Sequence, residues 1–409
     1  MKTEGQLKLE WARDHMPVCN EIRRRFVKEV PFKGIKISMA LHVEAKTGVL
    51  ALLLKEGGAE ISLASCNPLS SDDSVVLALK EIHSLNVYAK KGIDDATYYE
   101  FLNKTLDLNP DIVIDDGADL VNLLHTKRKD ASGNIIGGNE ETTTGVVRLR
   151  AMEKQGVLKF PMIDVNDAMM KHLFDNRYGT GQSTLDGFMH ATNLLIAGKR
   201  VTVAGYGYCG RGIAMRMRGM GGIVTVTEVD PVKAVEAVMD GFNVSTMNDS
   251  IRDADIVVTA TGMKEVVTYQ DMLVAKDGVV LCNAGHFNNE ISVAQLEEKS
   301  MWKGEVRNEV RRYRLDNGNT VNLISDGRLV NLASGQGHPV EIMDMSFAIQ
   351  ALSAEFLLKN HKKMTNKVYS VPREIDLAVA SVKIGSLGTK IDSLTKSQME
   401  YLDSWGEGT

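Results

Sequence analysis

Residues 201–210 read Val201-Thr202-Val203-Ala204-Gly205-Tyr206-Gly207-Tyr208-Cys209-Gly210, a β-rich run that closes on the pattern G-x-G-x-x-G. Apolar positions at helical spacing, Ile213 and Met217, follow it. Strand, glycine turn and helix in that order form a dinucleotide cradle in which each glycine has its own task. Gly205 makes the tight turn, Gly207 lets a pyrophosphate approach the backbone, and Gly210 lets the helix pack closely on the strand. Tyr208 and Cys209 open the helix, whose free N–H groups and positive dipole end face phosphate. The next strand-like run, IVTVTE, ends on Glu228, 18 residues beyond Gly210. A carboxylate there binds ribose hydroxyls and repels a 2′-phosphate, which favours NAD over NADP; Lys233 nearby weakens that preference slightly.

Around this turn, VTVAG, IVTVTE, DIVVTATG and DGVVLCNAG form one α/β cycle that runs to about residue 330. Upstream, GIKISMAL, AEISLAS, NVYA and DIVIDDG alternate with helical patterns and form another. Residues 5–30 read as helical (Leu9, Met16, Ile22, Phe26) up to Pro31, and STLDGFMHATNLLIAG as a helix capped by its glycine. The long apolar helix DMSFAIQALSAEFLLKN is expected to return and pack on the first unit. The fold class expected is α/β, two doubly wound domains with a Rossmann domain inserted into a discontinuous one. The bounds are 1–180, 181–334 and 335–390, with a short tail at 391–409.

Composition limits the partners. Of 409 residues, 44% are hydrophobic and 25% charged, which suits a large buried core and excludes a disordered chain. Lys and Arg number 48 against 53 acids, with no long basic tract, so nucleic acid is not an expected partner. No apolar stretch approaches the roughly 20 residues of a membrane span, and MKTEGQLKLEWARDH is no signal peptide. Cys19, Cys66, Cys209 and Cys282 lie far apart, with neither zinc spacing nor a disulfide framework. Reduced thiols, a cytoplasmic location and no metal are the expectation.

Polar clusters stand at the ends of the apolar runs, where open α/β sheets bind ligands. They are Leu41-His42, Asp115-Asp116-Gly117, Glu140-Glu141-Thr142-Thr143-Thr144, Lys171 with Asp175-Asn176, Asn283-Ala284-Gly285-His286, and Asn331 with Gly337-His338-Pro339. Singly, each has an ordinary explanation as a packed histidine, a turn or a helix start. Taken in order, the strings HTKR, NEETTTGV, FDNRYGTGQSTLDG, AGYGYCGRG, TEVDP, CNAGHFNNEI and DGRLVNLASGQGHP closely resemble S-adenosyl-L-homocysteine hydrolase, from about residue 10 to residue 400.

That resemblance implies a specific chemistry. The 3′-hydroxyl of the nucleoside is oxidised with bound, recycled NAD, and the resulting ketone acidifies the C4′ proton. A base removes that proton, homocysteine thiolate leaves C5′, water adds, and re-reduction gives adenosine. By position in the family motifs, Lys171 and Asp175 bind the 3′- and 2′-hydroxyls. Lys171 takes the 3′ proton, with a pKa lowered by burial and the positive nicotinamide. Asp116 is the candidate C4′ base, Glu141 and Asn176 hold the network, and His42 and His286 serve C5′. The division of work among His42, Asp116 and His286 stays open. Thr142, Thr143, Thr144, Asn176, Ala284, Gly285 and His286 line the cofactor side, Asn331 meets the nicotinamide amide, and His338 bounds the nucleoside pocket.

Two departures stand out. After His42 the chain reads Val43-Glu44-Ala45-Lys46-Thr47, with Glu44 where common members carry Thr and Lys46 where they carry Glu; Asp72 replaces a usual Gln. With Glu44, Thr47 and Asp72 placed at the purine, a lysine donor predicts acceptance of S-inosylhomocysteine as well as, or in place of, the adenosyl compound. No Lys/Tyr-rich tail follows Trp405, which predicts NAD held less tightly by a neighbouring protomer. A homotetramer is implied by the resemblance, and hinges are expected near 178–184 and 332–338. The alternatives are a conventional NAD dehydrogenase and a non-catalytic NAD-sensing scaffold.

Overall fold

A computed structural model describes residues 2–406; Met1 and residues 407–409, the end of the expected tail, lie outside the described residues. Six short strands open the chain: β1 (Lys36–Ala40), β2 (Glu60–Ala64), β3 (Asn86–Tyr88), β4 (Ile112–Asp115), β5 (Gly137–Glu140) and β6 (Met162–Asp164). Eight more follow: β7 (Arg200–Ala204), β8 (Ile223–Thr227), β9 (Asn243–Val244), β10 (Ile256–Thr259), β11 (Val279–Asn283), β12 (Trp302–Arg307), β13 (Val310–Arg314) and β14 (Thr320–Ile324). The last, β15 (Val368–Ser370), pairs with β6.

They form two sheets, ordered β15-β6-β5-β4-β1-β2-β3 and β12-β13-β14-β11-β10-β7-β8-β9. Every pairing in the first is parallel. In the second, β9-β8-β7-β10-β11-β14 is the Rossmann order, extended at one edge by the antiparallel hairpin β12–β13. Strands buried on both faces need continuous apolar runs, and β4 and β10 have them. In each sheet the strand order reverses once, between β1 and β4 and between β7 and β10, and loops leaving those strand ends open a crevice for ligand. The buried helix Val340–Asn360 brings the chain back to the first sheet.

Two helix expectations are corrected. Residues 5–30 form two helices, Glu4–Asp14 and Pro17–Glu29, because Pro17 lacks an N–H and takes the first position of a new helix. The apolar spacing was compatible with one helix or two. Helix Thr180–Thr192 stops at Asn193, which adopts left-handed φ of 54°; Gly198 instead turns the chain into β7. Ahead of that helix, His172–Gly179 winds as a π-helix.

Candidate active site

A cavity of about 1160 Å³ lies between the carboxyl ends of the two sheets, and residues of both line it. At the end formed by the second sheet, Gly205 turns with φ of +96°, and a Cβ there would meet the Ala260 carbonyl oxygen at 2.9 Å. A Cβ on Gly210 would overlap the Gly205 carbonyl, so this glycine packs the helix and does not line the cavity. Gly207 differs from both: nothing lies within 4 Å of the position its Cβ would take. The Glu228 carboxylate accepts N–H bonds from Tyr206 (2.7 Å), Val229 (2.7 Å) and Asp230 (3.1 Å), which fix it at the rim. Open space over Gly207, a helix N-terminus and an anchored acid fit NAD. Thr142, Thr143, Thr144, Lys233, Ala284, Gly285 and Asn331 line the same cavity, as do Tyr208, whose ring lies tilted against His172 at 4.6 Å, and Cys209.

At the other end, the π-helix sets the geometry. Its extra residue per turn lets side chains at both i+4 and i+5 meet Lys171. Lys171 Nζ donates to Asn176 Oδ1 at 2.8 Å and lies 3.4 Å from Asp175 Oδ2 and 3.3 Å from Glu141 Oε1. Burial works to lower the Lys171 pKa, but the carboxylates of Asp175, Glu141 and Asp116 outweigh it and hold the ammonium above its ordinary value. Burial likewise opposes ionisation of Asp175. Lys171, together with hydrogen bonds from His338 (2.7 Å) and Ser346 (2.6 Å), nevertheless holds it well below the usual carboxylate range. Burial pushes Glu141 up to about 7 against the pull of Lys171, while Gln350 donates to its Oε2 at 2.6 Å.

Beside this network, three groups converge with ligand atoms within 4.8 Å of one another: His42, Asp116 and His286. His42 Nε2 lies 3.3 Å from Asp116 Oδ2, and His286 Nδ1 3.6 Å from Asp116 Oδ1. Ser70 Oγ and Cys66 Sγ sit on His42 Nδ1 at 2.7 and 3.2 Å. Burial lowers the His42 pKa to about 4, the Asp116 carboxylate opposing it, so the ring is neutral near pH 7. His286 reaches across from the second sheet on a loop organised by Asn283, whose Oδ1 accepts from the Gly285 N–H at 2.7 Å.

Comparison with known proteins adds the decisive point. The family model for S-adenosyl-L-homocysteine hydrolase matches residues 1–136, and that for the NAD binding domain of the same hydrolase matches residues 176–337. Adenosylhomocysteinase from Thermoplasma acidophilum is 67% identical over 408 residues, spanning 100% of both chains. The chain belongs to the S-adenosyl-L-homocysteine hydrolase family. Another member, S-inosyl-L-homocysteine hydrolase from Methanocaldococcus jannaschii, is 58% identical over 99% of this chain and 97% of its own. A solved structure of a dipicolinate synthase chain from Bacillus halodurans aligns with TM-score 0.48 at 13% identity, over 80% of this chain and 99% of its own.

Against the expectations for this hydrolase family, the cavity brings together His42, Glu44, Thr47, Asp116, Glu141, Lys171, Asp175, Asn176, His286 and His338. Asp72 is a correction: it does not line the cavity. It caps the helix Asp73–Glu81, accepting from the Ser74 and Val75 N–H groups, and pairs with Lys8 at 2.6 Å. Lys171 is another: its pKa is raised, not lowered, by three carboxylates whose proximity the chain order conceals. Lys46 lines the cavity, paired with Glu44 at 3.0 Å and donating to the Gln336 carbonyl at 2.9 Å. Sequence reasoning missed Asn166, which accepts from Asn176 at 2.9 Å, and Ser70, Ser346 and Gln350. The only signal for the last two is their polarity in the apolar middle of helix Val340–Asn360.

Among the described residues, no helix is long and apolar enough to cross a membrane.

Proposed function

We propose that the cavity hydrolyses S-adenosyl-L-homocysteine reversibly to adenosine and L-homocysteine. The observation that carries this reading is the junction, in one cavity, of the dinucleotide turn with the Lys171 network and the His42–Asp116–His286 group. Bound NAD supplies oxidation at C3′ and its later reversal. Asp175 and Asn176 orient the ribose hydroxyls, and Lys171 handles the 3′-hydroxyl proton, with Glu141 buried 3.3 Å from its Nζ. Asp116 removes the C4′ proton; His286 and the neutral His42 move protons at C5′ for the leaving thiolate and the entering water. Thiol release from S-adenosylhomocysteine by NAD-loaded protein, without accumulation of reduced nucleotide, is the test. Net accumulation of reduced nucleotide identifies a dehydrogenase instead, and no turnover leaves the scaffold.

A second reading is favoured by Lys46. An ammonium in the wall of the cavity meets a 6-oxo acceptor better than a 6-amino donor, so S-inosylhomocysteine is the competing substrate. Parallel turnover of both thioethers decides between them.

In this reading, 1–180 and 335–390 bind substrate, 181–334 binds NAD, and 178–184 and 332–338 act as hinges. The assembly proposed is a cytoplasmic homotetramer, with the helix near 344–359 at its interface; light scattering of the purified protein tests it.

A further inference from the structure

Glu140 belongs to neither reactive group and does not line the cavity. Strand β5 places it between two other acids, in register with Asp115 on β4 and Asp164 on β6, and all three are fully buried. Three carboxyl groups side by side in a sheet interior are costly unless their oxygens are well used. Asp115 uses both of its own, accepting from the N–H groups of Asp116 (3.0 Å) and Val121 (2.8 Å). Glu140 concentrates its contacts on one. Its Oε1 accepts from the Gly117 N–H at 2.8 Å and from the Thr142 N–H at 3.0 Å, while Oε2 has no partner among the described residues.

Those two amides belong to the residues immediately after Asp116 and Glu141. We infer that Glu140 is a positioning residue for the hydrolysis, one carboxyl oxygen tying the turn that carries Asp116 to the turn that carries Glu141. The two turns leave adjacent parallel strands; Arg148, from the helix that follows Glu141, also donates to the Gly117 carbonyl, but among the described residues Glu140 alone holds an amide of each turn on one side chain. Two features keep the Glu140 carboxyl in place. A Cβ on Gly145 would overlap it, so the first turn of helix Thr143–Lys154 closes tightly over the group. Burial, reinforced by Asp115 and Asp116, also pushes its pKa well above the ordinary range.

The inference rests on the roles proposed above for Asp116 and Glu141, and the test separates the two. NAD-loaded wild type, Glu140→Gln, Glu140→Leu and Glu140→Asp are assayed for thiol release, with kcat and KM determined separately and bound NAD measured. Gln keeps an acceptor at Oε1 and should retain kcat within about threefold. Leu fills the space without an acceptor and Asp is too short to reach both amides; each should lose about 30-fold or more in kcat with KM nearly unchanged, the scale expected for misplaced catalytic groups. If Leu does not fold, the Gln–Asp contrast carries the result. Leu or Asp within threefold of wild type, Gln falling as far as Asp, or an effect confined to KM overturns the inference. An inactive wild type refutes the functional reading instead.

Discussion

His338 donates its Nδ1–H to Asp175 Oδ1 at 2.7 Å, across 163 residues of chain. One residue follows the second sheet and the other sits on the π-helix that precedes it, so this bond closes the base of the inserted unit. It also holds the carboxylate that faces Lys171, since Asp175 Oδ2 lies 3.4 Å from Lys171 Nζ.

Asp175→Asn is therefore expected to affect more than ribose contacts. It removes a counter-charge from Lys171 and offers His338 and Ser346 a weaker acceptor. Thiol-release kinetics should show kcat/KM down by roughly 10²–10³, in the range of lost charge-assisted positioning.

Ser70→Ala addresses how His42 is held. Ser70 Oγ lies 2.7 Å from Nδ1, on the opposite side of the ring from Nε2, which faces Asp116. Without that hydroxyl, Cys66 is the remaining neighbour of Nδ1, a weaker partner at 3.2 Å. Kinetics should record a drop in kcat of about tenfold with KM little changed, as for other lost supporting contacts.

The glycines of the dinucleotide turn separate stability from cofactor binding. Gly207 has an ordinary backbone conformation and open space beside it, so Gly207→Ala should leave the melting temperature of NAD-free protein unchanged. Its affinity for NAD, measured by titration, should fall by about tenfold or more, because the methyl fills the pyrophosphate position. Gly210→Ala should instead lower the melting temperature of the NAD-free protein.

Asp164 carries a pH dependence of stability. Burial raises its pKa to about 7, while in the unfolded chain it is about 3.9. A carboxyl raised on folding stabilises the native state fully below the unfolded value, and that contribution is lost as pH rises through the folded value. Denaturant unfolding at pH 5 and pH 8 should show wild type losing about 1–3 kcal/mol more than Asp164→Asn over that interval. Parallel losses in the two proteins would contradict it.

Local chemistry made much of this molecule legible before any coordinates. Gly205, Gly207 and Gly210 carry backbone and packing requirements that no other residue meets, so their spacing disclosed a strand, a turn and a helix together. Asp72 is instructive in the opposite sense. Read locally, Ser71-Asp72-Asp73-Ser74 is a helix cap, and the structure has Asp72 in that position; likeness to relatives had put the same residue at the purine. Pro17 marked a break that apolar spacing alone could not. The π-helix escaped because its period is signalled by no residue type, and with it went the i+5 contact of Asn176. The charge state of Lys171 was likewise illegible, as it depends on Glu141 and Asp116, far away along the chain.

A Cβ on Gly117 would overlap the His286 imidazole, so the two sheets touch through a glycine and a reactive ring. Neither sheet alone holds the proposed acid–base set: Asp116 comes from one and His286 from the other. Under the proposed mechanism, contact between the two faces is itself a condition for the chemistry. A nucleoside bound to one face alone would meet half of that set.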